Sequence, residues 1–197
     1  MRDLAVLAFH TLDGVMQAPM MPQEDQSGGF DQGGWAAPFW EDVMAQVQHE
    51  AMSAPYDMLL GRNTYEAFAA HWPKLHNDPT ADKLNASRKY VVSSGSPDLS
   101  WNNSHLISGD VASEIASLKR QGGPLLQVHG SSELLQTLFA NDLVDEFRLW
   151  CFPVIVGAGK RVFEAGAEIG ALSLQKNEHL QNGVVMSIYR KADRKAV

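Results

Sequence analysis

The sequence of 197 residues has little of what marks secreted, disulfide-bonded or membrane-spanning proteins. Its single cysteine, Cys151, cannot form an internal disulfide or a multi-cysteine zinc site. No apolar run approaches the roughly 18 residues that a membrane-spanning helix requires, and the N-terminus lacks the apolar stretch of a signal peptide. We therefore expect a globular protein of the cytoplasm with no membrane partner.

Positive charge is also scarce in this chain. It carries 16 lysines and arginines against 23 aspartates and glutamates, which gives a formal net charge of -7. Because the basic residues are scattered, the protein is expected to repel a polyphosphate backbone. The histidines show no paired metal-ligand spacing. We therefore expect a small-molecule substrate, no nucleic-acid partner and no metal site.

Two common nucleotide-binding motifs, G-x-G-x-x-G and GK[ST], are missing as well. What the chain has is a 45% hydrophobic content, arranged in short apolar runs that alternate with amphipathic segments. The apolar runs predict strands at residues 4–10, 56–60, 88–94, 105–107 and 125–129. The amphipathic segments predict helices at residues 38–51, 65–70, 111–119 and 134–139. This alternation is typical of parallel β/α units.

The C-terminal part of the chain has a different pattern. Residues 144–156 predict a long strand interrupted at Pro153, and residues 172–190 divide at Asn182-Gly183, a dipeptide typical of a two-residue antiparallel hairpin. The sequence therefore predicts an α/β fold with a mixed, mainly parallel sheet and an antiparallel C-terminal hairpin. Since no linker or repeat divides the chain, we expect one domain over residues 1–191 and a short tail over residues 192–197.

The segment from residue 17 to residue 34 contains prolines, glycines and polar residues without a usable period. It predicts a long loop in a domain whose other connections are short. One interpretation is a lid that closes over a ligand and excludes water. The alternative is a disordered or dimer-contacting insertion.

Three turns that follow predicted strands have residues suited to phosphate. Ligands of open α/β sheets bind at the carboxyl ends of the strands, where helix N-termini offer free N–H groups and partial positive charge. Glycine allows close backbone approach, arginine offers a fork for phosphate, and hydroxyls donate hydrogen bonds. The residues concerned are Gly61, Arg62, Asn63 and Thr64 in the first turn, Ser93 and Ser94 in the second, and His129, Gly130, Ser131 and Ser132 in the third. We expect the three turns to converge on one ligand, although each alone is also compatible with an ordinary strand end, helix cap or solvated loop.

The order of six short motifs resembles the dihydrofolate-reductase superfamily. It is more narrowly similar to the reductase domain at the C-terminus of bacterial bifunctional riboflavin-biosynthesis deaminase/reductase proteins, the RibD C-terminal domain. The motifs are Thr11-Leu12-Asp13-Gly14, Gly61-Arg62-Asn63-Thr64-Tyr65-Glu66, Val91-Val92-Ser93-Ser94, Val128-His129-Gly130-Ser131, Leu143-Val144-Asp145-Glu146 and the run from Pro153 to Lys160. The resemblance covers nearly the whole chain and implies a three-layer dihydrofolate-reductase-like fold.

The resemblance also implies NADPH as the cofactor. In this family the Gly-Arg-x-Thr turn and the serine strand end surround the adenosine phosphate, and the turn at Gly130 lies against the pyrophosphate. By the same resemblance, Ala8 and the segment from Asp13 through Gly14 to Met16 lie near the nicotinamide. Asp13 is the candidate catalytic residue, which can position the substrate or the nicotinamide amide, but aspartate before glycine is also ordinary turn chemistry.

The activity that the resemblance implies is reduction of a small heterocyclic substrate, as in 5-amino-6-(5-phosphoribosylamino)uracil reductase of riboflavin biosynthesis. The alternatives are activity on a pterin, a binding module without turnover, and a flavin-linked reductase. Dihydrofolate reductases are compared with this chain at two places. They have one carboxylate on the first long helix, and they have consecutive glycines in the turn that reads Gly130-Ser131 here. The zinc signatures of the deaminase half, His-x-Glu and Pro-Cys-x-x-Cys, are absent.

Three charged residues are further candidates for binding the substrate. Glu41 and Asp42 lie at the start of the first predicted helix, where acidic residues also favour the helix dipole. Lys160, like its neighbour Arg161, either contacts a phosphate on the substrate or lies on a solvated loop. Finally, the C-terminal hairpin and the apolar run around Trp150 can pair with a second copy, so we expect a homodimer.

Overall fold

A computed structural model describes residues 1–164 and 170–192 of the chain. Its strands are β1 (Leu4–Thr11), β2 (Tyr56–Gly61), β3 (Lys89–Val92), β4 (Ser104–Ile107), β5 (Leu125–Val128), β6 (Glu146–Phe152), β7 (Leu172–His179) and β8 (Val185–Lys191). Its α-helices are α1 (Trp40–Ala51), α2 (Arg62–His71), α3 (Pro79–Ala86), α4 (Val111–Arg120) and α5 (Ser132–Ala140). Residues 193–197 of the predicted tail lie outside the described residues.

All eight strands form one sheet in the order β4-β3-β2-β5-β1-β6-β8-β7. Strands β1 to β6 pair in parallel, whereas β8 is antiparallel to both β6 and β7. The predicted mixed, mainly parallel sheet with an antiparallel C-terminal hairpin is therefore confirmed. The parallel order also places the carboxyl ends of β1, β2, β3 and β5 at the same edge of the sheet.

Helices cover the sheet on both faces, which makes the three layers. Leu7 of β1 packs in a cluster with Val43 and Val47 of α1, while its neighbour Val6 packs in a second cluster with Ile115 of α4 and Leu135 of α5. Because successive side chains of a strand point to opposite faces, β1 is buried on both sides. This explains why its sequence is a continuous apolar run rather than an alternating one.

Two helices differ from the sequence-based expectations. Helix α2 begins at Arg62 rather than at residue 65, with Gly61 in an extended conformation as its N-cap. Helix α3 was not predicted. Asp78 caps it by accepting hydrogen bonds from the N–H groups of Thr80 and Ala81, and Pro79 occupies its first position. That capping residue followed by proline is the signal that the periodicity analysis missed.

The C-terminal strands also differ from their predicted bounds. Strand β6 ends at Phe152, before Pro153, so the predicted strand over residues 144–156 was too long. The β7–β8 hairpin has a three-residue connection instead of two. Leu180 and Val184 form the closing pair, and Gly183 adopts a φ of 88° within the turn. The Asn-Gly dipeptide therefore predicted the position of the turn correctly, but it predicted the wrong number of residues in the connection.

Candidate functional site

The ends of β2 and β5 meet at the carboxyl edge of the sheet. The N–H of Gly61 donates to the carbonyl oxygen of Gly130 at 3.2 Å. A Cβ added at Gly61 would lie 2.3 Å from Ser131 Oγ, and one added at Gly130 would lie 3.1 Å from Thr64 Oγ1. The two turns therefore pack backbone against backbone, and only glycine allows this approach.

Helices α2 and α5 start beside each other at this contact. The N-cap of α2 is Gly61, which has no side chain to cap the first N–H groups. The N-cap of α5 is Ser131, whose hydroxyl makes no capping hydrogen bond and lies against Gly61. Uncapped helix N-termini present free N–H groups and a partial positive charge. Two of them side by side form a site suited to a phosphate group.

The remaining turn lies next to these two. Gly61 is paired with Val92, so Ser93 and Ser94 follow directly beside the start of α2. Ser93 is buried and its Oγ accepts a hydrogen bond from Gly95 N at 3.1 Å, whereas Ser94 is exposed. Arg62 is about half-exposed, and its ion pair with Glu66 is long at 3.8 Å. The structure thus brings the three predicted turns together, with an available guanidinium among them.

His129, the residue before Gly130, turns its ring back along the sheet. Its Nε2 lies 2.9 Å from Nε2 of Gln127, and its ring centroid lies 6.2 Å and 6.0 Å from those of Tyr56 and Phe68. Burial, with a smaller contribution from the positive charge of Arg148, lowers the pKa of His129 to about 4. The imidazole is therefore neutral near pH 7 and does not supply a positive charge for phosphate.

Asp13 is engaged in the loop that follows β6. Its carboxylate accepts hydrogen bonds from Thr11 Oγ1 at 2.6 Å and from the N–H groups of Val156 and Gly157 at 3.3 Å and 2.8 Å. The Thr11 hydroxyl is the largest cause that lowers the pKa of Asp13. Its carboxylate therefore orients backbone between β1 and β6. Its catalytic role stays a prediction.

The long loop after β1 is fastened to the loop after β6. Gln17 Oε1 accepts a hydrogen bond from Lys160 N at 3.0 Å, and Lys160 Nζ forms an ion pair with Asp25 at 2.8 Å. Val15, Ala18 and Phe30 form a small buried cluster within this segment. The structure thus gives a segment packed against the loop after β6. Lys160 has a carboxylate partner there, so its ammonium is already neutralised.

Gly14 lies in the same region, with a φ of +85° that favours glycine. A Cβ added there would lie 3.8 Å from an Nη atom of Arg161. The Arg161 side chain is 39% exposed and lies 3.9 Å from Asp13. Arg161 is therefore a cation at the carboxyl ends of β1 and β6.

Three predicted site residues are not brought to the turns. The side chain of Ala8 is buried in the cluster that faces α4 and α5. Glu41 and Asp42 are exposed on the first turn of α1, where Asp42 accepts a hydrogen bond from Asn182 in the β7–β8 turn. The positions of α1 that face the sheet are apolar, because Val43, Val47 and Ala51 occupy its buried stripe. The role of Ala8 near the nicotinamide and the roles of Glu41 and Asp42 in binding the substrate stay predictions.

Residues 1–164 and 170–192 contain no cluster of three His, Cys, Asp or Glu side chains that could hold a metal ion. Within the same residues, no helix is both long enough and apolar enough to cross a bilayer.

Residues 2–186 match the family described as the RibD C-terminal domain. The chain belongs to this family. Two curated proteins of Bacillus subtilis (strain 168) are similar to it. Uncharacterized protein YyaP is 28% identical over 137 residues, which are 67% of this chain and 72% of YyaP. Uncharacterized protein YwjB is 32% identical over 108 residues, which are 54% of this chain and 57% of YwjB.

Solved structures share the fold of this RibD C-terminal domain protein. A putative riboflavin biosynthesis protein from Shewanella sp. PV-4 has a TM-score of 0.66 at 18% identity, covering 98% of this chain and 100% of that one. Dihydrofolate reductase from Enterococcus faecalis, complexed with NADP(H) and RAB-propyl, has a TM-score of 0.62 at 13% identity, with 97% of each chain covered. A pyrimidine reductase-like protein from Corynebacterium diphtheriae has a TM-score of 0.60 at 12% identity, covering 98% and 92%. The resemblance and the dihydrofolate-reductase-like fold are confirmed, and the family supports a reductase-type enzyme.

Proposed function

We propose that this protein is an NADPH-dependent reductase that transfers a hydride to a small heterocyclic substrate. The observation that carries the proposal is the meeting of two uncapped helix N-termini at Gly61 and Gly130, with Arg62 beside them. This arrangement has the charge and the free N–H groups that phosphates of a dinucleotide require. The hydride chemistry is supplied by the nicotinamide of the bound cofactor.

The chain's own residues have distinct tasks in this proposal. The first N–H groups of α2 and α5 hold the pyrophosphate, and Arg62 with Ser94 favours the 2'-phosphate of the adenosine. The ordered loop over residues 17–34, fastened through Gln17 and Lys160, limits the access of water to the reacting ring. Asp13 positions the loop after β6 beside the site.

The substrate that fits best is a pyrimidine of the riboflavin-biosynthesis type, such as 5-amino-6-(5-phosphoribosylamino)uracil. Family membership supports this choice, as does the Gly130-Ser131 sequence at the start of α5. The pterin alternative loses support because Glu41 and Asp42 are exposed on the first turn of α1. The remaining carboxylate of this helix, Glu50, lies in its last turn and is paired with Lys176 of β7.

A binding module without turnover is the second candidate. It is favoured by Asp13, whose carboxylate is occupied by three donors and has a lowered pKa, so it is a poor proton donor near pH 7. An absorbance assay at 340 nm with aminopyrimidine and pterin substrates separates the two candidates. Oxidation of NADPH supports the reductase, and tight NADPH binding without oxidation of any substrate supports the module.

Calorimetric titration of NADPH and NADH tests the cofactor. We expect wild-type protein to bind NADPH much more tightly than NADH. Arg62→Met should weaken NADPH binding about 10-fold or more and leave NADH binding unchanged, because charge-assisted hydrogen bonds contribute roughly 1.5–3 kcal/mol. Arg120→Met is the matched control, since Arg120 is exposed at the last turn of α4, away from the turns. Absence of binding of either nucleotide would contradict the proposal.

A further inference from the structure

A row of partly buried polar side chains crosses the sheet beneath α1 and ends at His129. Arg148 Nε donates to Glu146 Oε1 at 2.6 Å, and Arg148 Nη1 donates to Gln127 Oε1 at 3.2 Å. Gln127, with no exposed surface, then contacts His129. The row passes over Ala5 of β1, whose small side chain leaves room between β5 and β6. Polar groups withdrawn from water cost stability unless they are hydrogen-bonded, and each member of the row has a partner within it.

Arg148 fixes the orientation of the Gln127 amide. A guanidinium only donates hydrogen bonds, so the Gln127 atom that faces it must be the carbonyl oxygen. The amide NH₂ is then the group that faces His129. Because NH₂ only donates, His129 Nε2 must accept through its lone pair, and the single proton of the neutral imidazole lies on Nδ1. Burial and the charge of Arg148 oppose a second proton, since they lower the pKa of His129 to about 4.

The covalent geometry of the ring directs that Nδ1 proton. Gln127 precedes His129 by two residues, so Nε2 points toward the amino end of β5. The two nitrogens of an imidazole point in widely different directions, so Nδ1 points away from Gln127. His129 itself follows the last residue of β5, at the end of the strand beside which α2 and α5 begin. Among the residues that the structure describes, Nδ1 has no hydrogen-bond partner and is not one of the buried side-chain atoms that lack one. It is therefore open to a ligand.

We propose that His129 is a neutral hydrogen-bond donor, through Nδ1–H, to a carbonyl oxygen of the ligand bound at this edge of the sheet, and that Gln127 and Arg148 are positioning residues that hold its tautomer. A neutral donor suits a carbonyl, whereas the phosphates have Arg62 and the helix N-termini. The ligand's identity rests on the proposed function, but the tautomer does not. The charged groups around the row are Glu146, which lies beside Arg148 and 3.8 Å from Arg190 of β8, and Glu50 of α1, which forms an ion pair with Lys176 at 2.7 Å.

Nuclear magnetic resonance of protein labelled with ¹⁵N-histidine tests the tautomer without any ligand. Long-range ¹H–¹⁵N correlations of His129 are expected to show the Nδ1–H form, and the ring should stay neutral from pH 8 to about pH 5. An Nε2–H form in the wild-type protein, or titration near the ordinary histidine pKa, overturns the proposal.

A substitution tests the role of Gln127. Gln127→Glu replaces the donor by a carboxylate that accepts from Nε2–H, so the tautomer should reverse and the pKa of His129 should rise. Gln175→Glu makes the same change on the exposed strand β7 and should leave His129 unaltered. An unchanged tautomer in Gln127→Glu contradicts the positioning role. If that variant does not fold, the wild-type spectrum still decides the tautomer.

Ligand titrations identify the carbonyl. NADP⁺ should shift the Nδ1 proton resonance of His129, while adenosine 2',5'-bisphosphate, which lacks nicotinamide, should bind without shifting it. If the shift appears only when a pyrimidinedione is added to the NADP⁺ complex, the carbonyl belongs to the substrate. An unchanged His129 signal in both complexes overturns the ligand-facing role. Failure of NADP⁺ to bind, measured by calorimetry, instead overturns the proposed function, and the ligand-facing role falls with it.

Discussion

At the scale of single residues, two glycines determine how closely the ends of β2 and β5 approach. Gly130 has a φ of +122° and lies next to Thr64, while Gly61 has an ordinary φ and lies against Ser131. The requirement at Gly61 is therefore one of space rather than of backbone conformation. This distinction makes Gly61 the sharper probe of the contact between the two helix N-termini.

We expect Gly61→Ala to lower the free energy of unfolding by about 1–3 kcal/mol, because the added Cβ would lie 2.3 Å from Ser131 Oγ. NADPH binding should weaken as well, since α2 and α5 must move apart. Urea unfolding and calorimetry measure the two effects. Adding Ser131→Gly should restore part of the stability, although Ser131 N would remain 3.1 Å from the new Cβ.

Gly122→Ala is the control for this substitution. Gly122 has open space at its Cβ position and no positive φ, so alanine there should change stability by less than about 0.5 kcal/mol. Equal stability and equal nucleotide affinity of Gly61→Ala and wild type would show that the close contact is not required.

The turn residues could be predicted from sequence, but the row ending at His129 could not. Glycine, arginine and serine at strand ends have a local signature, because each follows an apolar run directly. The contact between Gln127 and Arg148 instead joins β5 to β6 across β1, and only the sheet order brings the two side chains together. The one local signal was a glutamine inside the otherwise apolar strand Leu125–Val128.

At the scale of elements, the strands and helices that could be predicted from sequence are those with the clearest apolar pattern. The buried parallel strands were found because each is a continuous apolar run bounded by turn residues. Helix α3 was missed because its eight residues have only Thr80, Ala81 and Leu84 buried, too few to show a period. The loop over residues 17–34 has no period at all. Its order comes from contacts with the loop after β6, which lies far along the chain.

The ion pair between Lys160 and Asp25 is the contact of this loop that is simplest to remove. Burial raises the pKa of Asp25, but hydrogen bonds from Lys160 and Ser27 outweigh it and lower the pKa overall. Both side chains are 30% exposed, so the pair is worth about 0.2–1 kcal/mol. Lys160→Met should therefore increase amide hydrogen exchange in residues 17–34 by up to about 5-fold.

Lys74 is exposed and forms no ion pair with any residue that the structure describes, so it gives a control. Lys74→Met should leave exchange in the loop unaltered. The hydrogen bond from Trp35 Nε1 to Gln17 O should keep the loop attached in both variants. Unchanged exchange in Lys160→Met would mean that this hydrogen bond and the Phe30 cluster hold the loop without the ion pair.

At the scale of the whole molecule, the sheet has two terminal strands, β4 and β7, and no described residue pairs with the outer side of β7. Seven of the eight residues of β7 are exposed. Leu172 and Leu174 are 39% and 53% exposed there. An exposed edge strand with apolar side chains is a template for pairing with another chain. Next to it, Leu149 and Tyr189 are only partly buried.

These features favour the predicted homodimer, formed when β7 of one copy pairs with β7 of a second around a twofold axis. Light scattering should give twice the chain mass of 21.7 kDa. Leu174→Lys should shift the protein toward monomer, because an unpaired charge on the pairing strand opposes association. Leu106→Lys introduces the same charge on β4 at the opposite edge, where leucine is 42% exposed, and should leave the mass unchanged. A wild-type mass of one chain, or a dimer that Leu106→Lys dissociates and Leu174→Lys does not, would contradict pairing through β7.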